Sequence, residues 1–72
     1  MFIKRLPVKS SAIASIGYHA EKKILEIEYI SGEVYDYLNV PEHIFNELMQ
    51  ADSKGTFANT RIKDHYEFEK KQ

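Results

Sequence analysis

Apolar and polar residues alternate most regularly between Lys23 and Ile30, where Leu25, Ile27 and Tyr29 are separated by Glu26 and Glu28. A period of two with one wet face predicts a half-buried strand. Upstream, Ala12-Ile13-Ala14-Ser15-Ile16-Gly17-Tyr18 is rich in small and branched residues and predicts a first strand from about Ala12 to His19, followed by a turn at His19-Ala20-Glu21-Lys22. Downstream, Ser31-Gly32 marks a hairpin, and Glu33 to Leu38 forms a third strand. Val40-Pro41 then opens a helix with proline at its first position, and Glu42 sits in the first turn, where the helix dipole favours an acid. Ile44, Phe45, Leu48 and Met49 make one apolar stripe, and the helix ends near Ala51. Ser53 reads as a second N-cap, opening a short helix to about Ile62 that Gly55 weakens and that turns Phe57 and Ile62 inward. Tyr66-Glu67-Phe68-Glu69 alternates and leaves room for a short fourth, edge strand; the last residues, Lys70 to Gln72, are expected to fray. Residues 1–10 are a lead-in in which Pro7 blocks a helix. The fold class is α+β: a three-stranded antiparallel β-meander packed against two short helices, with that short fourth strand at the edge.

The hairpin admits two registers. A two-residue loop at Ser31-Gly32 puts Tyr35 and Tyr37 beside Glu28 and Glu26 on the wet face. A three-residue loop, Ile30-Ser31-Gly32, places glycine in the left-handed position of a bulged turn and pairs Ile27 with Tyr35 and Leu25 with Tyr37. One residue of slip exchanges the faces. The second register is favoured, because it buries two aromatics and exposes Asp36.

At 72 residues the chain is one domain. Only about 60% of the unfolded surface of so short a chain can be buried, so a staple is expected. The chain has no cysteine, which excludes disulfides and thiolate zinc and leaves oligomerisation as the staple. No apolar run approaches the roughly 20 residues of a membrane span. Lys4 and Arg5 are followed by Pro7 and Lys9 rather than by the apolar core of a signal peptide. The expectation is a soluble, intracellular and so cytoplasmic protein, with no membrane partner and no cofactor.

The net charge of −1 hides a segregation. Residues 1–10 carry Lys4, Arg5 and Lys9 and no acid; residues 53–63 carry Lys54, Arg61 and Lys63 and no acid. Between them, residues 20–47 hold Glu21, Glu26, Glu28, Glu33, Asp36, Glu42 and Glu47 against Lys22 and Lys23. Screening confines each charge to roughly 10 Å, so a local cationic site can bind an anion on a near-neutral protein. A protein that coats a long duplex is usually distinctly basic, so a short or small anionic ligand fits better.

Each candidate residue has a plain structural alternative. Tyr35 and Tyr37 offer a base-stacking platform, or are core aromatics. Ser53, Lys54, Gly55 and Thr56 offer hydroxyls, a cation and room for close approach to a phosphate, or form an ordinary cap; the glycine spacing of a P-loop is missing. Asn59 and Arg61 can read a base edge or grip a phosphate, or serve as a turn residue and a salt bridge. Lys63 follows on the same segment. Lys9 and Ser11, with Ser10, can bind phosphate or satisfy a strand start, while Lys4 and Arg5 read as solvated. Glu26 and Glu28 read as a solvated face. His19, His43 and His65 lack metal-ligand spacing, and no serine has a base beside it, so catalysis is not expected.

Taken in order, Ser10-Ser11, Ile16-Gly17-Tyr18, Leu25-x-Ile27-x-Tyr29, Ser31-Gly32, Tyr35-x-Tyr37, Val40-Pro41, Ser53-x-Gly55, Phe57-x-Asn59, Ile62 and Tyr66 resemble the KTSC domain, over about residues 8–68. That is a short bacterial and phage domain also found at the C-terminus of some lysyl-tRNA synthetases. The resemblance implies a small meander with helices and no established enzymatic activity, and RNA binding has been proposed for the family. In size and charge layout the chain is also similar to small phage proteins that sequester nucleotide immune signals. The leading expectation is a non-catalytic protein that binds a nucleotide of the cyclic dinucleotide class in a pocket shared between subunits of a homo-oligomer. An RNA-binding accessory module and a protein-interaction domain using an exposed edge strand are the alternatives.

Overall fold

The computed structural model describes residues 2–72. Five antiparallel strands lie in the order of the chain: β1 Leu6–Pro7, β2 Ile13–His19, β3 Ile24–Tyr29, β4 Val34–Tyr37 and β5 Phe68–Lys70. Helix α1 spans Glu42–Gln50, α2 spans Lys54–Phe57, and α2 widens into a π-helical turn at Ala58–Ile62. Among the described residues no helix is long and apolar enough to cross a membrane.

The central meander follows the sequence pattern. Leu25 pairs with Tyr37 and Ile27 with Tyr35, the register of the three-residue loop, and Gly32 takes a φ of +97°. Ile13, Ile16, Leu25, Ile27 and Tyr37 point to one face and meet Val40 from the loop before α1, Ile44 and Leu48 from α1, and Ala58 and Ile62 from the π turn. Tyr18 stacks on Phe45 with centroids 5.1 Å apart and donates its hydroxyl hydrogen to the Val40 carbonyl. Pro41 precedes the helix instead of opening it, with an extended ψ of 150°. Its fixed φ of −63° suits either position, and the first bond, from Ile44 N to Pro41 O, is a tight i to i+3 closure.

Four further expectations are corrected. The lead-in contributes β1, because an edge strand tolerates the proline that a helix or a central strand does not. The tail does not fray: β5 pairs with β4, Lys71 N donates to Val34 O at 2.7 Å, and Lys70 Nζ lies 3.0 Å from Glu33. The segment after Ser53 is not one α-helix, since the Lys63 N to Ala58 O bond of 2.9 Å skips a residue. Finally, the second face of the sheet is not open to water. Asp36 is 3% exposed and Glu26 is 8% exposed, because both chain ends fold over them.

Arg5 is what covers Glu26. Its Nη1 lies 2.6 Å from Glu26 Oε2, its Nε donates to Ser15 Oγ at 3.0 Å, and Ser15 passes its own hydrogen to Glu28 at 2.8 Å. Gly17 lets the strap reach the sheet, because a Cβ there would stand 2.6 Å from the Lys4 carbonyl oxygen and 2.8 Å from Ile3.

Candidate functional site

Two adjoining grooves on the helix side collect most of the residues singled out by sequence. The first, about 360 Å³, is lined by Lys9, Ser10, Ser11, Asp52, Ser53 and Lys54. The second, about 340 Å³, is lined by Ser11, Ala12, Tyr29, Ser53, Gly55, Thr56, Asn59 and Lys63. Ser11 and Ser53 belong to both and form the wall between them. The loop before β2 and the start of α2, more than 40 residues apart in the chain, therefore share one surface.

Local hydrogen bonding explains how that surface is held. Ser10 Oγ accepts from the N–H groups of Ala12 and Ile13, so Ser10 shapes the loop. Ser53 caps α2 by accepting from Thr56 N at 3.3 Å, and its hydroxyl donates to Thr56 Oγ1 at 2.8 Å. Lys54 Nζ donates to the Ala51 carbonyl at 3.1 Å and so closes the C-terminus of α1 as well as facing the groove. Gly55 is required by the chain's own packing, since a Cβ there would come 2.9 Å from the Ala12 Cβ. The close approach expected for a ligand at Gly55 is taken by Ala12, in the loop before β2. Lys9, Ser11, Asn59 and Lys63 are exposed, and the π turn aims Lys63 across the ring of Tyr29, 5.4 Å from its centroid.

The other candidates lie elsewhere. Arg61 is 3.5 Å from Glu47 and sits over the Phe57 ring at 5.2 Å, outside both grooves. Tyr37 is 2% exposed, and its hydroxyl shares a 2.8 Å hydrogen bond with that of Tyr29. It is a core residue and offers no stacking face. Tyr35 is half-buried and meets Tyr29 and Phe68 edge-on at 5.8 and 5.5 Å. Its remaining surface lines a separate groove of about 230 Å³ with Tyr37, Lys63, Asp64 and Phe68. Burial, with the bond to Tyr37, raises the Tyr29 hydroxyl far above its ordinary pKa, so it is neutral.

Two features were missed by sequence. Alternation gives Tyr29 a strand position and no site role, although it lines the second groove. The Arg5–Ser15–Glu26–Glu28 cluster lines a groove of about 440 Å³ on the opposite face. Its signal was present as alternating acids on β3, but an acid row reads as solvated until a cation is known to cross it.

The fold and surface define a small α+β domain of the antiparallel-meander type, with Lys9, Lys54 and Lys63 and several hydroxyls along the seam between sheet and helices. The chain belongs to the KTSC domain family, whose model matches residues 9–66. It is 39% identical to a KTSC domain protein from Yersinia pestis, whose crystal structure superposes with a TM-score of 0.94 over 99% of this chain and 100% of that one. It is 40% identical over 67 residues to a protein of Stutzerimonas stutzeri, covering 92% of this chain and 94% of that protein. It is also 38% identical over 64 residues to a lysine–tRNA ligase of Nostoc punctiforme, covering 89% of this chain but 11% of the ligase.

Proposed function

We propose that this chain is a non-catalytic domain that binds a phosphate-bearing nucleotide along the seam between the Lys9–Ser11 loop and the Ser53–Lys63 segment. The observation that carries the reading is the convergence of Lys9, Lys54 and Lys63 with Ser11, Ser53 and Asn59 around two grooves that share a wall. Lys9 and Lys54 neutralise phosphate, the hydroxyls donate to its oxygens, and Asn59 and the Tyr29 edge meet the base or sugar. Each groove lies near the roughly 300 Å³ lower end of ligand pockets and is open. A second copy closing over it supplies the missing wall, and sequestration of a cyclic dinucleotide between subunits is the form this reading takes in a homo-oligomer.

RNA binding is the second reading, and the lysine–tRNA ligase relatives are the observation that favours it. One titration separates the two. Amide shifts of the labelled protein are followed with a panel of cyclic dinucleotides and with hexauridylate. Shifts confined to residues 9–11, 53–56, 59 and 63 support the site, and the probe that produces them assigns the ligand class. Lys54→Ala is expected to weaken binding at least fivefold, and Arg61→Ala to leave it unchanged. Absence of shifts with every probe overturns the proposal.

A further inference from the structure

β5 is the last strand of the sheet, and among the described residues no strand pairs with its outer edge. Leu38 N donates to Glu67 O at 2.8 Å and Lys71 N to Val34 O at 2.7 Å, so the backbones of Glu67 and Lys71 are spent on β4. Successive residues of an antiparallel strand aim their backbone groups to opposite sides, so Phe68 and Lys70 turn theirs outward. The other end strand, β1, is two residues long and carries Pro7, a common way of blunting an edge. β5 has no proline, and its charged residues, Glu69 and Lys70, leave every backbone N–H free to pair.

The two faces of this open edge differ in chemistry. On the helix side Phe68 is 55% exposed, and beside it lies the groove of about 230 Å³ formed with Tyr35, Tyr37, Lys63 and Asp64. That space accepts one aliphatic side chain. On the other side Glu69 stands opposite Asp36, with Glu67 on the same face. Lys70 and Lys71 are engaged by Glu33 and Asp36, whereas Glu67 and Glu69 make no ion pair among the described residues. The edge therefore presents Phe68 beside the ion-paired Lys70 on one face, and the unpaired acids Glu67 and Glu69 beside Lys71, held by Asp36, on the other.

We infer that β5 is a docking edge for an extended peptide of another protein, which adds a sixth strand. Its alternate residues are apolar towards Phe68 and basic towards Glu67 and Glu69. Main-chain hydrogen bonds supply the affinity in such an addition, and the alternating side chains supply the specificity. A second copy of β5 is a poorer occupant. A pairing centred on Phe68 sets Glu67 against Glu69, one centred on Glu69 sets that acid against itself, and one centred on Lys70 sets that cation against itself and draws Glu69 and Lys71 away from their places on β4.

The test uses the full chain and a labelled heptapeptide, Lys-Val-Lys-Leu-Lys-Val-Lys, followed by fluorescence anisotropy. Two isomers of the peptide are N-methylated, one at its three apolar residues and one at its three internal or leading lysines. In strand addition only one of these sets bonds to β5, so one isomer is expected to lose at least tenfold in affinity while the other retains it. The double variant Glu67→Lys, Glu69→Lys, altered only at exposed positions, is expected to lose at least tenfold as well. Equal behaviour of the two isomers, or no binding of the parent peptide, overturns the inference. So does a concentration-dependent dimer in sedimentation that Phe68→Asp abolishes, because the edge then belongs to a second copy. None of these outcomes depends on nucleotide binding at the Lys9–Lys54 seam.

Discussion

Asp36 faces Glu26 across the β3–β4 pair, and Arg5 and Lys71 approach the two acids from the chain ends. Burial first, and then Glu26, pushes the Asp36 carboxyl up to about 6 from 3.8; the Lys71 ammonium, 3.8 Å away, offsets this in part, and Glu69 adds to the rise. The native state thus holds this proton more tightly than the unfolded chain does. The cost of ionising Asp36 is absent below the unfolded value of 3.8, grows as pH climbs towards 6, and persists above it. Asp36→Asn is therefore expected to stabilise the protein at pH 7.5 by roughly 1 kcal/mol. The gain should vanish near pH 4, as read by urea midpoints at the two pH values. A gain of equal size at both would mean that ionisation is not its source. Alternation placed Asp36 on the right face of β4, but its burial depends on termini more than 30 residues away in sequence, and no local pattern carries that.

Among the elements, the hairpin and the strap put glycine to two different uses. Gly32 has a φ of +97° and nothing within 4 Å of a built Cβ, so the cost of Gly32→Ala is confined to the backbone, about 1–2 kcal/mol. Gly17 has an ordinary backbone but no room, so Gly17→Ala must displace the strap. It is expected to cost roughly 1–3 kcal/mol and to speed hydrogen exchange in residues 3–8. Exchange that accelerates across the whole sheet instead would mean that the strap and the core unfold as one unit. The hairpin register was legible because only one register buries Tyr37, and α1 was legible from its single apolar stripe. β1 was not, since two residues containing a proline carry no period. The π turn was not legible either: Ala58 and Ile62, four apart, share a face in an ordinary α-helix as well, so the apolar pattern carries no mark of the extra residue.

At the scale of the molecule, a net charge of −1 coexists with a seam that brings Lys9 to Lys54 and Lys63. If three lysines carry the phosphate contacts, the logarithm of hexauridylate affinity should fall against the logarithm of salt with a slope of about −2. A slope steeper than about −4 would place further cations, Arg61 among them, in the interface. Composition and pattern were enough for the size class, the central meander, α1, the cap at Ser53 and the cationic character of both segments, because these depend on neighbours two to four residues apart. The tertiary structure decided that the two segments meet at Ser11 and Ser53, that Arg61 turns away to Glu47, and that Tyr37 belongs to the core. It also decided that the acidic face lies under the chain's own ends. Each of those outcomes pairs residues distant in sequence, and such pairs are set by how the sheet, helices and termini pack together.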